Sequence, residues 1–163
     1  MLRSSSVLLP LSSSIDATTY LIGIGNLLRR DDGVGLVVAR TLCDRLPAGT
    51  AAWESGADPS ELVSLLSRCR RAVLVDAAVG IPPGQVARFD ALSDPLPFSA
   101  ATSSHTLPLP QILALAAALG SLPDKVTLYA IGARDFSFGE GLSAEVEAAV
   151  ELAALQVLAE LSA

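Results

Sequence analysis

The stretch "LIGIGNLLRRDDGVGLVVARTL", residues 21–42, sets the start of the fold. An apolar run from Tyr20 to Ile24 ends beside glycine, which is typical of a strand. The segment from Gly33 to Leu46 then places apolar residues at helical spacing, so a helix is predicted after the strand. Many nucleotide-binding folds use a glycine-rich turn between a strand and a helix, but this turn carries two adjacent aspartates, Asp31 and Asp32.

The two aspartates argue against a phosphate-binding loop. The dinucleotide pattern Gly-x-Gly-x-x-Gly lacks its third glycine, because Leu28 stands there. A Walker loop needs Gly-Lys-Ser/Thr at the helix start, whereas this chain has Asp31-Asp32-Gly33. Carboxylates at a helix start would repel the phosphate that the exposed amides alone attract. A simpler role for these aspartates is helix capping, which needs only one of them. We interpret Asp31 as the cap, which leaves Asp32 free.

Strand and helix signals alternate along the rest of the chain. They predict an α/β fold, a single-domain open, mostly parallel twisted sheet of about five strands with helices on both faces. The domain is predicted to span residues 19–163 after a flexible, serine-rich extension at 1–18. Asp58 and Ser143 are predicted N-caps. The further predicted strands are 50–54, 72–75, 85–89 and 126–131, and the further predicted helices are 59–68, 108–119 and 144–161.

Composition restricts the function classes. The net charge of −6 and the pI near 4.6 argue against nucleic acid and anionic membranes as partners. No window reaches the length of a membrane span, and the N-terminal apolar run is too short for a secretory signal. Two cysteines, Cys43 and Cys69, fit neither a disulfide framework nor a zinc cluster. A cytoplasmic protein with reduced thiols is therefore expected.

Two carboxylates and one imidazole are placed where they can converge. The aspartate not used as a cap can face the crevice at the carboxyl end of the first strand, where open α/β sheets bind ligands. Asp76 ends the apolar run "AVLVD" and is expected at the same edge, although a cap or turn also accounts for it. His105, the only histidine, precedes a helix, where an ordinary loop residue is the simpler explanation. Together these residues match a three-ligand site with open positions for a divalent ion such as nickel or zinc.

At these residues the sequence resembles the NiFe-hydrogenase maturation endopeptidases of the HybD and HycI type. The shared pattern is a strand, Gly-x-Gly-Asn, and an acidic pair with glycines at a helix start, here "GIGNLLRRDDGVG". The resemblance covers roughly residues 20–161. It implies that the metal ligands are Asp32, Asp76 in "VLVDA" and His105 in "SHTLPL".

The resemblance implies an endopeptidase that removes the C-terminal extension of a hydrogenase large-subunit precursor after nickel insertion. The metal would be nickel supplied by the substrate or another divalent metal, and the partner would be the precursor. The chain departs from the family pattern at Glu54-Ser55-Gly56-Ala57, where members often have Asp-Gly-Gly-Ser/Thr. Asp32 also stands where some members have glutamate. The first departure bears on substrate choice more than on chemistry.

Three mechanisms remain open at this level. In metal-assisted hydrolysis the ion polarises the scissile carbonyl or lowers the pKa of a bound water, with Asp32 or Asp76 as general base. A non-catalytic metal checkpoint would bind the nickel-loaded precursor without cutting it. A serine hydrolase would combine Asp76, His105 and an unidentified serine, but Ser103 and Ser104 are sequence neighbours of His105 and poorly placed for proton transfer.

Overall fold

Apart from one short strand, Phe98–Ser99, the strands and helices follow one another in the order that the sequence predicts. The structure is a computed structural model that describes residues 10–11, 17–56, 58–99 and 107–163. A 3-10 turn at Arg30–Gly33, named η1, leads into the first α-helix. The strands are β1 (Thr19–Ile24), β2 (Thr50–Ser55), β3 (Arg71–Val79), β4 (Val86–Asp90), β5 (Phe98–Ser99) and β6 (Lys125–Gly132), and the helices are α1 (Val34–Leu42), α2 (Pro59–Leu66), α3 (Leu109–Ala118) and α4 (Ala144–Ser162).

The sheet is open and mostly parallel, as predicted. Its order is β2-β1-β3-β6-β4, with β4 antiparallel to β6 and the short β5 antiparallel to the end of β3. The central strands are apolar and almost entirely buried, since helices cover both faces. Helices α1 and α4 pack on one face, and α2 and α3 pack on the other. This arrangement confirms the predicted fold class.

The topology creates a crevice between β1 and β3. From β1 the chain passes over one face through α1 to β2, and then returns under the other face through α2 to β3. Helix α1, which follows β1, and helix α3, the next helix after β3, lie on opposite faces, so the chain leaves these two neighbouring strands toward opposite sides of the sheet. Open α/β sheets bind ligands at such a switch point. The fold thus places η1 and the second half of β3 where a site is expected.

Several element bounds differ from the prediction. The prediction that Asp76 ends the central strand is wrong: β3 continues to Val79, because β6 pairs with it as far as Ala78 and β5 pairs with its last two residues. Strand β5 gave no sequence signal, since it has only two residues. Helix α1 ends at Leu42 rather than Leu46, and turns follow it.

The predicted extension at residues 1–18 falls largely outside the described ranges. Within it, the Leu11 amide donates to the Ala52 carbonyl of the edge strand β2 at 2.8 Å. The flexibility of the extension and the domain boundary near residue 19 stay predictions. None of the helices within the described ranges is both long enough and apolar enough to cross a membrane.

One carboxylate fixes the last helix to the amino edge of the sheet. Glu160 of α4 is 10% exposed and accepts hydrogen bonds from Arg88 at 2.7 Å and from Arg71 at 3.0 Å. The Lys125 ammonium lies 3.3 Å away and the Tyr129 hydroxyl 3.2 Å away. Arg88 first, and then Lys125 and Arg71, lower the pKa of Glu160 to about 2. The cluster lies at the edge opposite the crevice, so it serves the fold rather than the site.

Candidate functional site

The glycines of the opening motif let α1 rest directly on the sheet. A Cβ on Gly35 would lie 2.2 Å from the Val75 carbonyl oxygen and 2.5 Å from that of Ile24, which no side chain allows. Gly25 has φ of 146°, and a Cβ there would lie 1.9 Å from the Asp32 carbonyl oxygen. These contacts press the turn that carries Asp32 against the end of β1. The glycines therefore act by close packing and not by wrapping a phosphate.

Asp32 and Asp76 meet at the crevice. Asp32 lies in η1, which packs against β3, and Asp76 lies in β3 itself. The pairing of β1 with β3 ends at Gly23–Val75, so Asp76 is the first residue of β3 beyond it. Each aspartate is only 8% exposed. The structure thus brings together these two sequence-predicted site residues, although Asp76 comes from within a strand and not from its end.

Burial makes this pair electrostatically unusual. Burial raises the pKa of Asp76 well above its ordinary value of 3.8, and the neighbouring Asp32 carboxylate raises it further. Burial also raises the pKa of Asp32. The Arg29 guanidinium and the backbone amide of Asn26 lower this pKa, but by less than burial raises it. Two like charges that are close and poorly solvated repel each other, and a shared proton or a bound cation relieves that repulsion. The pair suits acid–base chemistry and oxygen ligation of a divalent ion.

Asp31 has a different task from its neighbour. The interpretation of Asp31 as a helix cap is wrong: Gly33 is the N-cap of α1, and no side chain caps η1 or α1. The Asp31 carboxylate, fully buried, accepts from the amides of Arg134 at 3.1 Å, Asp135 at 3.0 Å and Ser143 at 2.7 Å. It also accepts from the Ser143 hydroxyl at 2.8 Å. Asp31 therefore anchors a distant loop, and those donors lower its pKa despite burial.

The same contacts correct the second capping prediction. Ser143 is at the N-cap position of α4, as predicted, but its side chain makes no capping hydrogen bond because its hydroxyl donates to Asp31. By contrast, Asp58 caps α2 as predicted, since its carboxylate accepts from the Ser60 amide at 2.9 Å.

The third predicted ligand, His105, lies outside the described residues, as do Ser103 and Ser104. Its place relative to Asp32 and Asp76 stays a prediction. Across 10–11, 17–56, 58–99 and 107–163, no group of three histidine, cysteine, aspartate or glutamate side chains is placed to hold a metal ion. The described ranges thus contribute two of the three predicted ligands. Their buried, like-charged oxygens fit a divalent cation.

The cysteines take no part in this arrangement. Both Cys43 and Cys69 are free thiols. Burial raises the pKa of Cys69 to about 12, so it is protonated at neutral pH and unsuited to act as a nucleophile. The Cys43 thiol donates to the Arg40 carbonyl within its own helix end at 3.0 Å.

One element at this edge is not predicted from the sequence: the loop between β6 and α4, residues 134–143. We call it the rim loop. It lies against residues 28–31 and joins them by backbone hydrogen bonds as well as through the Asp31 carboxylate. The available signal was its composition, "RDFSFGEGLS", with Phe138 among glycines and polar residues.

Comparison with known proteins finds hydrogenase maturation proteases both by family model and by sequence. The family model described as hydrogenase maturation protease matches residues 45–160. That range includes Asp76 and His105 and begins after Asp32. The hydrogenase 2 maturation protease of Escherichia coli K12 is 29% identical over 145 residues, covering 86% of this chain and 88% of the relative.

Solved structures agree with the sequence comparison. The E. coli hydrogenase maturating endopeptidase HybD superposes with a TM-score of 0.73 at 26% identity, covering 88% of this chain and 91% of the other. HybD from Thermococcus kodakarensis, a NiFe-hydrogenase maturation protease, gives a TM-score of 0.64 at 27% identity, covering 89% and 99%. The likeness extends over nearly the whole length of the chains compared.

Proposed function

The chain belongs to the hydrogenase maturation protease family, and we propose that it removes the C-terminal extension of a NiFe-hydrogenase large-subunit precursor after nickel insertion. The observation that carries the proposal is the buried, like-charged pair of Asp32 and Asp76 at the switch point of the sheet. A protease needs a polarising group and a base at one place, and this pair can hold a cation or a proton there. The closely packed glycine motif keeps the pair in position.

In the proposed mechanism, Asp32, Asp76 and His105 contact nickel carried by the precursor, or another divalent metal held by the protease. When bound, the metal polarises the scissile carbonyl or lowers the pKa of a water molecule. A carboxylate that does not hold the metal takes the proton from the attacking water, and burial supports this by raising the pKa of both groups above that of a solvated aspartate. Asp31 holds the turn and touches no reacting atom in this scheme.

The test is incubation of the protein with nickel-loaded large-subunit precursor, followed by intact-mass measurement. The proposal predicts loss of a C-terminal peptide from the precursor. Asp32→Asn, Asp76→Asn and His105→Ala should each abolish the mass loss without unfolding the protein. Asp44→Asn, which changes an exposed aspartate just beyond α1, is the matched control and should cleave at the wild-type rate.

Other outcomes would point to the alternative mechanisms. An uncut precursor in a stable complex with wild-type protein would contradict the endopeptidase and favour a non-catalytic checkpoint. Wild-type cleavage rates in Asp76→Asn and His105→Ala would remove the three-ligand arrangement. Loss of cleavage after a single serine-to-alanine change, with binding retained, would favour the serine hydrolase.

A further inference from the structure

The rim loop is held rigidly beside the candidate site. The Arg30 amide donates to the Gly139 carbonyl at 3.0 Å, and the Gly139 amide donates to the Leu28 carbonyl at 2.8 Å. The Arg30 guanidinium reaches the Glu140 carbonyl at 3.2 Å. The Asp31 carboxylate also accepts hydrogen bonds from both ends of the loop, at Arg134 and Ser143. Together these bonds attach the loop along residues 28–31. The loop and the turn that carries Asp32 therefore form one unit.

This unit exposes apolar side chains at neighbouring backbone positions. Phe138 is 84% exposed and Leu28 is 48% exposed. Gly139 and Arg29, which follow Phe138 and Leu28, form a parallel β-bridge. Phe138 and Leu28 therefore lie at neighbouring positions on two hydrogen-bonded stretches of backbone. A single exposed apolar residue is ordinary, but an exposed aromatic ring beside a second exposed apolar residue, on backbone held by hydrogen bonds, has the character of a binding anchor. Because the backbone of the loop is already ordered, the loop itself would lose little entropy when a partner binds.

Two of the arginines nearby, Arg30 and Arg134, are already paired with acidic side chains. Arg30 faces Asp135 at 3.8 Å, and Arg134 faces Glu145 at 2.7 Å. Both arginines therefore have acidic partners within the protein itself. The rim offers apolar contact more than free charge, which suits an apolar segment of a partner rather than an acidic one.

The short distance to the candidate site lets a bound polypeptide substrate reach the rim. Leu28 precedes Asp32 by four residues, so their Cα atoms lie within about 15 Å of each other. An extended segment of about five residues spans that length. A polypeptide whose scissile bond lies at Asp32 and Asp76 can therefore reach the rim with residues close to that bond.

We infer that Phe138, with Leu28 beside it, docks an apolar segment of the hydrogenase large-subunit precursor next to its cleavage point. The inference rests on the proposed function, because the precursor is its substrate. Phe138 is a positioning residue here, since it holds the substrate and does not touch the reacting bond. Its removal should weaken substrate binding and leave the chemical step largely unaffected.

The test compares steady-state cleavage of nickel-loaded precursor by wild type, Phe138→Ala and Phe138→Tyr. The alanine variant should raise KM about tenfold or more, with a much smaller change in kcat, and the tyrosine variant should restore KM. The matched control is Leu119→Ala, which removes an apolar side chain that is 62% exposed at the end of α3. Leu119 lines a separate groove of about 470 Å³ between α2 and α3 and should leave KM unchanged.

The outcomes separate this inference from the proposed function. Wild-type protein that never cuts the precursor would overturn the proposed function and, with it, the role of Phe138. Cleavage by wild type with unchanged KM in Phe138→Ala would overturn the docking inference alone. A KM increase in Leu119→Ala, without one in Phe138→Ala, would also overturn it and would move the docking site to the groove between α2 and α3.

Discussion

Replacement of Asp31 should destabilise the protein, because Asp31 holds the rim loop against the turn that carries Asp32. The Asp31 carboxylate is fully buried and accepts three backbone amides and one hydroxyl. Each buried donor left without an acceptor costs about 1–3 kcal/mol. Because Ser143 and Arg134 lie partly at the surface, water can reach some of these donors and reduce the total. We expect Asp31→Ala to lower the free energy of unfolding by about 3–5 kcal/mol.

The adjacent aspartate provides the matched comparison. Asp32→Asn has nearly the same size and removes one of two buried like charges, so it should change stability by less than about 1 kcal/mol and relieve repulsion with Asp76. Asp31→Asn should lose about 2–3 kcal/mol, because the amide nitrogen would face backbone donors. Urea unfolding followed by circular dichroism measures all three variants, with equal m values required for comparison. Wild-type stability in Asp31→Asn, or a larger loss in Asp32→Asn, would refute the assigned roles.

Three further predictions concern the scaffold. Glu160→Gln should lower the unfolding free energy at pH 7 by about 2 kcal/mol, because the folded pKa of about 2 lies below the ordinary 4.5 and two partners, Arg88 and Lys125, are half exposed. That contribution is present above pH 4.5 and lost as the pH falls toward 2, so the wild-type and variant urea midpoints should converge there; a constant difference would contradict it. Gly35→Ala should lower the free energy of unfolding by about 3 kcal/mol in the same assay, since its Cβ would overlap two backbone carbonyls. Gly56→Ala, with open space around it, should lower it little. Equal effects would contradict close packing at Gly35. Native Cys69 should react with iodoacetamide at least about tenfold more slowly than in denaturant at pH 8, as mass spectrometry would show; equal rates would contradict its burial.

The part of the fold that local patterns determine was predictable. The apolar run of β1, the glycine turn and the helical spacing after Gly33 gave the strand, the turn and the helix in the right order. The alternation of elements gave the open sheet with both faces covered. Asp58 was identified as a cap because its bond to Ser60 is local.

Hydrogen-bond and strand-pairing partners far along the chain determine the features that local sequence patterns do not predict. The local pattern predicts a cap at Asp31, because its three amide donors lie 103 to 112 residues further along the chain and leave no local signal. Asp76 was expected at a strand end because an aspartate interrupts the apolar run, yet pairing with β6 keeps it within β3. The position of the rim loop also follows from pairing across the chain, between Arg29 and Gly139.

Cleavage of the precursor depends on Asp32 and Asp76 if the two carboxylates act together at the switch point of the sheet. Nickel-loaded large-subunit precursor is incubated with wild type, Asp32→Asn and Asp76→Asn, each first shown to fold, and the intact mass of the precursor is followed over time. Wild type is expected to remove a C-terminal peptide, while both folded variants leave the precursor at full mass. Cleavage by either variant at the wild-type rate would contradict this dependence.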